Sequence, residues 1–158
     1  MLTCKNYGTG LSLMLHKSRY SSLTITGPMG KGLGLKKDGT YVAFVGGTGI
    51  LPFIDLIAML HFGSPLLNSS FKLVVYASFH TRAEALGIEL LESANPRLQV
   101  HMRIKSEIKG SQERWDESFV RKQIAAWESA TKIFVCGPPS MNEVFDRIVG
   151  SGSNVEIL

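Results

Sequence analysis

Four strand-length apolar runs, Tyr41 to Val45, Lys72 to Ala77, Leu98 to Arg103 and Lys132 to Val135, alternate with longer stretches of helical period. That alternation is the strongest constraint on the chain. Strands buried on both faces read as nearly unbroken apolar runs, and parallel pairing needs a crossover long enough for a helix. The pattern therefore predicts an α/β fold, a doubly wound parallel sheet covered by helices. Helices are expected to begin near Gly49, Thr81 and Ser118. A last one should follow Pro139, where Met141, Val144, Phe145 and Ile148 recur at helical spacing. Asn154 to Leu158 reads as a short closing strand.

Residues 1–37 break the alternation and resemble the tail of a preceding domain. Leu23 and Ile25 alternate like a half-exposed strand, and a glycine-rich loop from Gly27 to Gly34 hands over to the next unit. The expected division is 1–37 and 38–158.

Composition removes several classes of function. With 158 residues, 44% of them hydrophobic and 19% charged, the chain is a folded globular one, neither disordered nor coiled coil. A net charge of +4 favours anionic partners. The basic residues are scattered, however, from Lys5 to Arg121, so no nucleic-acid stripe forms. Cys4 and Cys136 lie far apart, and His16, His61, His80 and His101 have no ligand spacing, so neither a disulfide framework nor a metal site is expected. The cysteine usage fits a reducing compartment. Tyr41 to Phe62 mimics a membrane span, but Gly46, Gly47, Gly49 and Pro52 interrupt it, which fits a buried strand, a turn and a buried helix better. No signal peptide or transmembrane segment is expected.

Three strand ends carry the candidate chemistry. The first is Val45-Gly46-Gly47-Thr48-Gly49-Ile50-Leu51-Pro52. Here a strand meets a glycine turn and a helix start, where unpaired backbone N–H groups and the helix dipole suit a phosphate; a plain tight turn is the competing reading. The second is Cys136-Gly137-Pro138-Pro139-Ser140-Met141, a strand end followed by a stiff turn and a helix with proline in its first turn. Ligands of open parallel sheets sit beyond the carboxyl ends of the strands, so Thr48 and Cys136 can meet across one crevice. On composition alone, Cys136 reads better as a small buried hydrophobe. The third is Ser78 with Phe79-His80-Thr81-Arg82. At this strand end Ser78 and Arg82 suit a ribose 2′-phosphate, and a Thr81 N-cap beside a solvated Arg82 is the alternative.

In this order the segments GPMGKGLGL, FVGGTGILP, VYASFHTRAEALGIELLE and FVCGPPSM resemble the nucleotide-binding half of the ferredoxin-NADP reductase superfamily, notably cytochrome b5 reductases, ferric reductases and NADPH oxidases. The resemblance spans about Asn6 to Val149. It implies an oxidoreductase in which NAD(P)H passes hydride to FAD and electrons go on to a haem, metal or protein acceptor. Gly46, Gly47, Thr48 and Gly49 would line the pyrophosphate and nicotinamide, with Ile50 and Pro52 closing the same motif. Cys136 would stand beside the nicotinamide and position it, with Thr48 close by. Gly137, Pro138, Pro139 and Met141 would shape the pocket, and Ser78 and Arg82 would meet the adenosine end. Gly10, Leu11 and Ser12 resemble the place where the family's flavin barrel holds the FAD pyrophosphate. Earlier barrel strands and the family's usual C-terminal aromatic are absent from this sequence. FAD is therefore expected to need an upstream domain or partner chain that completes its site. The competing expectation is a non-catalytic nucleotide-binding or structural subunit that keeps the reductase fold. The resemblance also allows a place on a cytoplasmic or mitochondrial membrane surface.

Overall fold

The computed structural model describes residues 8–17, 24, 26–27, 30–93, 95–108, 115–149 and 153–158. The chain divides into two units, Met1–Gly34 and Leu35–Leu158. In the first, the described regular element is helix α1, Gly10–Lys17; the Ser12 hydroxyl donates to the Thr9 carbonyl at 2.8 Å. The strand expected around Leu23 and Ile25 lies outside the described residues.

The second unit is a five-stranded parallel sheet. Its strands are β1 Thr40–Gly46, β2 Lys72–Phe79, β3 Leu98–Ile104, β4 Lys132–Cys136 and β5 Val155–Ile157, in the order β3-β2-β1-β4-β5. Burial explains the placement. Tyr41 to Val45 are covered on both faces and take the centre, whereas the β3 run alternates and takes an edge. The chain winds outward from β1 through β2 to β3, then returns to place β4 on the other side of β1. The winding therefore reverses between β1 and β4, and the carboxyl ends flanking such a reversal are where open α/β sheets take their ligands.

Helix α2, Leu51–His61, covers one face, where the Phe53 ring lies 5.7 Å from that of Phe134. On the opposite face, helices α4, Glu117–Ala126, and α5, Pro139–Ile148, bring Val120 and Phe145 onto Val42, Phe44, Val74, Tyr76, Ile133 and Val135. Phe44 stacks on Tyr76 at 4.7 Å and meets Phe145 at 4.9 Å. Each fully buried side chain of this size stabilises the fold by about 1.5–3 kcal/mol. That is enough to hold the backbone of β1 and β4 rigidly under the turns they carry.

Two sequence expectations about helices are corrected. The helix expected near Gly49 begins at Leu51, two residues on, because Gly47–Ile50 forms a 3-10 turn before α2. No full helix follows Thr81. A 3-10 turn, Arg82–Glu84, leads instead to the four-residue helix α3, Ile88–Leu91, and Thr81 makes no side-chain cap bond. Gly87 separates the two with φ +71°, and a Cβ there would come 2.6 Å from Ile54 Cδ1 of α2. Packing of this turn on α2, in a left-handed conformation that only glycine adopts cheaply, breaks the helical period.

Candidate functional site

The first functional segment leaves the sheet at Gly46 and reverses direction at Gly47, whose φ is +56°. Neither the 3-10 turn nor α2 receives a side-chain cap at its N-terminus, and Pro52 occupies the first turn of α2. The Leu51 amide donates to the Thr48 carbonyl, and no N-cap side chain covers the amides of either turn, an arrangement that can receive an anion. A Cβ built on Gly47 would meet nothing within 4 Å. Glycine is needed there for its backbone conformation, and the space beside it stays open to an approaching group.

The other glycines answer to packing. A Cβ at Gly49 would lie 2.5 Å from the carbonyl carbon of Cys136 and 3.2 Å from the Gly137 nitrogen. One at Gly46 would lie 2.8 Å from Pro138 Cδ and 3.2 Å from Met141 Sδ, and one at Gly137 only 2.7 Å from the same sulfur. The β1 and β4 turns are therefore interlocked, backbone against backbone, with the Met141 thioether laid over both. Sheet register sets Val45, three residues before Thr48, opposite Cys136; Thr48 and Cys136 are each half-buried. Ile50 is fully buried, and Pro52, Pro138 and Pro139 are exposed around the rim.

Burial raises the Cys136 thiol above its ordinary range. Among the described residues no cation offsets that desolvation, so the thiol stays protonated at neutral pH. A neutral, half-buried sulfur suits contact with an aromatic ring and does not suit nucleophilic attack.

The third segment divides. Ser78 sits beside Gly46 in register, at the same sheet edge. Arg82 is ion-paired with Glu92, with Glu107 at 3.9 Å, and its side chain is half exposed. Gly10, Leu11 and Ser12 belong to the other unit.

A second feature of the same edge has no motif in the sequence to mark it. Gln99, His101 and Arg103 share one face of β3, and in register Tyr76 pairs with His101 and Ser78 with Arg103. His101 stacks on Tyr76 at 4.6 Å, and the Tyr76 hydroxyl donates to Gln123 at 2.7 Å while accepting from Trp127 Nε1 at 2.9 Å. A cavity of about 260 Å³ lies there, lined by Tyr76, His101, Arg103, Trp115, Phe119 and Gln123 among others. The signal for it was the period-two run of polar residues in an otherwise apolar strand.

Among the described residues, no helix is long and apolar enough to cross a membrane, and no group of three or more His, Cys, Asp or Glu could hold a metal ion.

A five-stranded parallel sheet wound in this order, with its turns meeting at the β1–β4 reversal, is the fold of ferredoxin reductase-like NAD(P)-binding domains. Similar solved structures fall in that class. The chain resembles the CS-b5R domains of human Ncb5or in its NAD+ form, with a TM-score of 0.65 and 18% identity, over 97% of this chain and 47% of that one. It resembles ferredoxin-NADP+ reductase from Plasmodium falciparum with a TM-score of 0.53 and 15% identity, over 77% and 53% of the two chains. A flavohemoglobin from Malassezia yamatoensis with bound FAD and heme gives a TM-score of 0.50 at 19% identity, over 79% and 33%. The chain thus spans about half the length of the first structures it matches. No protein-family model matches it, and no curated protein matches it in sequence.

Proposed function

We propose that this chain is the NAD(P)H-binding part of a flavin-dependent oxidoreductase. The observation that carries the reading is the interlock of the β1 and β4 turns. It sets the uncapped amides and the open space at Gly47 beside the protonated thiol of Cys136, all at the point where the sheet reverses. Likeness to an NAD+ form and to a protein holding FAD and heme supports it further.

When bound, the nicotinamide supplies a hydride and the flavin accepts it. The chain's own residues bind and orient. The Gly46 to Gly49 amides take the pyrophosphate, and the positive φ of Gly47 keeps its backbone within reach of the phosphate oxygens. Thr48 and Cys136 bound the slot for the nicotinamide, and Met141 closes its floor through Gly46 and Gly137. Cys136 acts by position and by excluding water, so its removal should lower the hydride-transfer rate more than nucleotide affinity. Barrel strands of an upstream domain or partner chain would complete the flavin site, and a haem, metal or protein would serve as the electron acceptor.

Titration of the chain with NADH and NADPH, followed calorimetrically, tests this. Saturable binding is expected, weakened at least about tenfold by Gly47→Leu, because one displaced charge-assisted hydrogen bond is worth roughly 1.5–3 kcal/mol. No binding of either nucleotide at millimolar concentration would leave a non-catalytic subunit as the better account.

A further inference from the structure

We infer that the amino-end edge of the sheet, around the turn that follows α2, docks on an anionic lipid surface. The inference is independent of the nucleotide reading, which concerns the opposite edge. Helix α2 stops at Phe62 because Gly63 takes φ +69° and Pro65 follows. Beyond the stop, Phe62 and Leu66 are 78% and 62% exposed, more than any other large hydrophobic side chain among the described residues. The Ser64 hydroxyl accepts from the Leu66 amide at 3.3 Å and ties down the turn between them. Neighbouring segments are fastened to this turn by backbone groups. The Asn68 amide donates to the Lys37 carbonyl at 2.8 Å, the Asn95 side chain donates to the Leu60 carbonyl at 2.7 Å, and the Arg97 guanidinium reaches the Leu67 and Asn68 carbonyls at 3.4 Å. The two apolar side chains therefore sit among Lys36 and Lys37 before β1, Lys72 at the start of β2, and Arg97 before β3.

Charge decides what covers this edge. Among the described residues Lys36, Lys37, Lys72 and Arg97 enter no ion pair, and Lys36, Lys37 and Lys72 are exposed. Asp38 is the one acid in the stretches 35–39, 62–72 and 93–98. Glu92, next along, is held by Arg82, and Glu128 stands on the connection to β4, across β1 from the turn. A second copy of the chain would bring like charges together. An acidic protein would meet the cations, but Phe62 and Leu66 line neither of the cavities beside β3, and a partner of fixed shape must offer recesses that match two protruding side chains. A bilayer closes around whatever enters it. Phenylalanine and leucine suit the headgroup and acyl boundary, and the aliphatic stems of lysine and arginine lie along it with their heads at the lipid phosphates. Strand β1 has seven residues, so the Gly47 turn would stand roughly 20 Å from the lipid at the usual rise per residue, open to water and to nucleotide.

The test is co-sedimentation of the whole chain with vesicles of phosphatidylcholine, with and without phosphatidylserine, at low ionic strength. The native chain should partition onto the phosphatidylserine vesicles and leave the others. Lys36→Gln with Lys37→Gln should weaken that partition about fivefold for each charge removed, the scale of one lysine near an anionic surface. Phe62→Ser and Leu66→Ser, at exposed positions where the fold has nothing to lose, should each weaken it at least about fivefold without changing the melting temperature. Lys105→Gln with Lys122→Gln removes two exposed cations from other parts of the unit and should leave partition within about twofold of native. No partition onto phosphatidylserine vesicles, or equal partition onto both kinds, would overturn the inference. So would a loss in the Lys105 and Lys122 variant equal to that in the Lys36 and Lys37 variant, which would mean attraction by net charge alone. If soluble polyglutamate binds as tightly as the vesicles and Phe62→Ser alters neither, the edge takes an acidic protein and the lipid assignment falls. The nucleotide titrations are unaffected by any of these outcomes, so the two readings stand or fall separately.

Discussion

Alanine at Gly47 and alanine at Gly49 add the same methyl two residues apart, yet the structure assigns them opposite consequences. At Gly47 the methyl meets nothing within 4 Å, so the cost is conformational: an L-residue held at φ +56° loses about 1–2 kcal/mol. At Gly49 the methyl would sit 2.5 Å from the Cys136 carbonyl carbon. Non-bonded carbons prefer about 3.5–4.0 Å, so β4 or the turn must move by roughly 1 Å. Both are backbone, pinned by sheet pairing on one side and by α2 on the other, and no rotamer change can absorb the overlap. Overpacking of this kind sits at or above the upper end of the usual range, about 3 kcal/mol. For a domain of this size that lowers the melting temperature by about 10 °C. Thermal unfolding followed by circular dichroism, with nucleotide titration alongside, separates the two. Gly47→Ala should keep most of the stability and lose nucleotide affinity; Gly49→Ala should lose stability first. If Gly49→Ala melts within about 2 °C of the native chain, or Gly47→Ala proves the more damaging to stability, the interlock described for the β1 and β4 turns is wrong.

Cys136 should show a pH signature. Because its folded-state ionisation is raised, its contribution to stability is fully present below the ordinary thiol value of 9.0 and lost as pH climbs through the folded value. Urea unfolding of the native chain and of Cys136→Ala should therefore diverge only on the alkaline side, and alkylation by iodoacetamide should be slow at pH 7; fast alkylation there would contradict a protonated thiol. Tyr76→Phe removes a hydroxyl that both donates to Gln123 and accepts from Trp127, and leaves those two groups unpaired. It should cost about 1–3 kcal/mol in chemical denaturation and shift the tryptophan emission; a neutral result would mean that water replaces the hydroxyl.

The helix caps illustrate how local signals fared. Pro139 marks the start of α5 as its position in the sequence requires, and Asp116 caps α4 through the Phe119 amide at 2.9 Å. At Thr81, by contrast, an equally good cap residue heads only a 3-10 turn, because Gly87 must pack against Ile54. The cap is a local preference of order 1 kcal/mol, and tertiary contact outweighs it.

Read alone, the chain already determined its strands. Tyr41 to Val45 and Lys132 to Val135 are apolar at every position or nearly so, which only double-sided burial explains, and their junctions with Gly46 and Gly137 marked where function would lie. Both strands proved only slightly longer than expected. What the sequence could not express was distance across the sheet. The separate needs of Gly47 and Gly49, one for a left-handed turn and one for contact with Cys136 some ninety residues away, look identical in the string GGTG. Arg82 stood where the strand order invited a phosphate contact and is instead engaged by acids from later segments, while Arg103, unremarkable in sequence, lines the cavity at that edge with a buried Nε. Periodicity is a local property and survives in the sequence. Which arginine is engaged by acids and which lines a cavity depends on residues that only the folded sheet brings together.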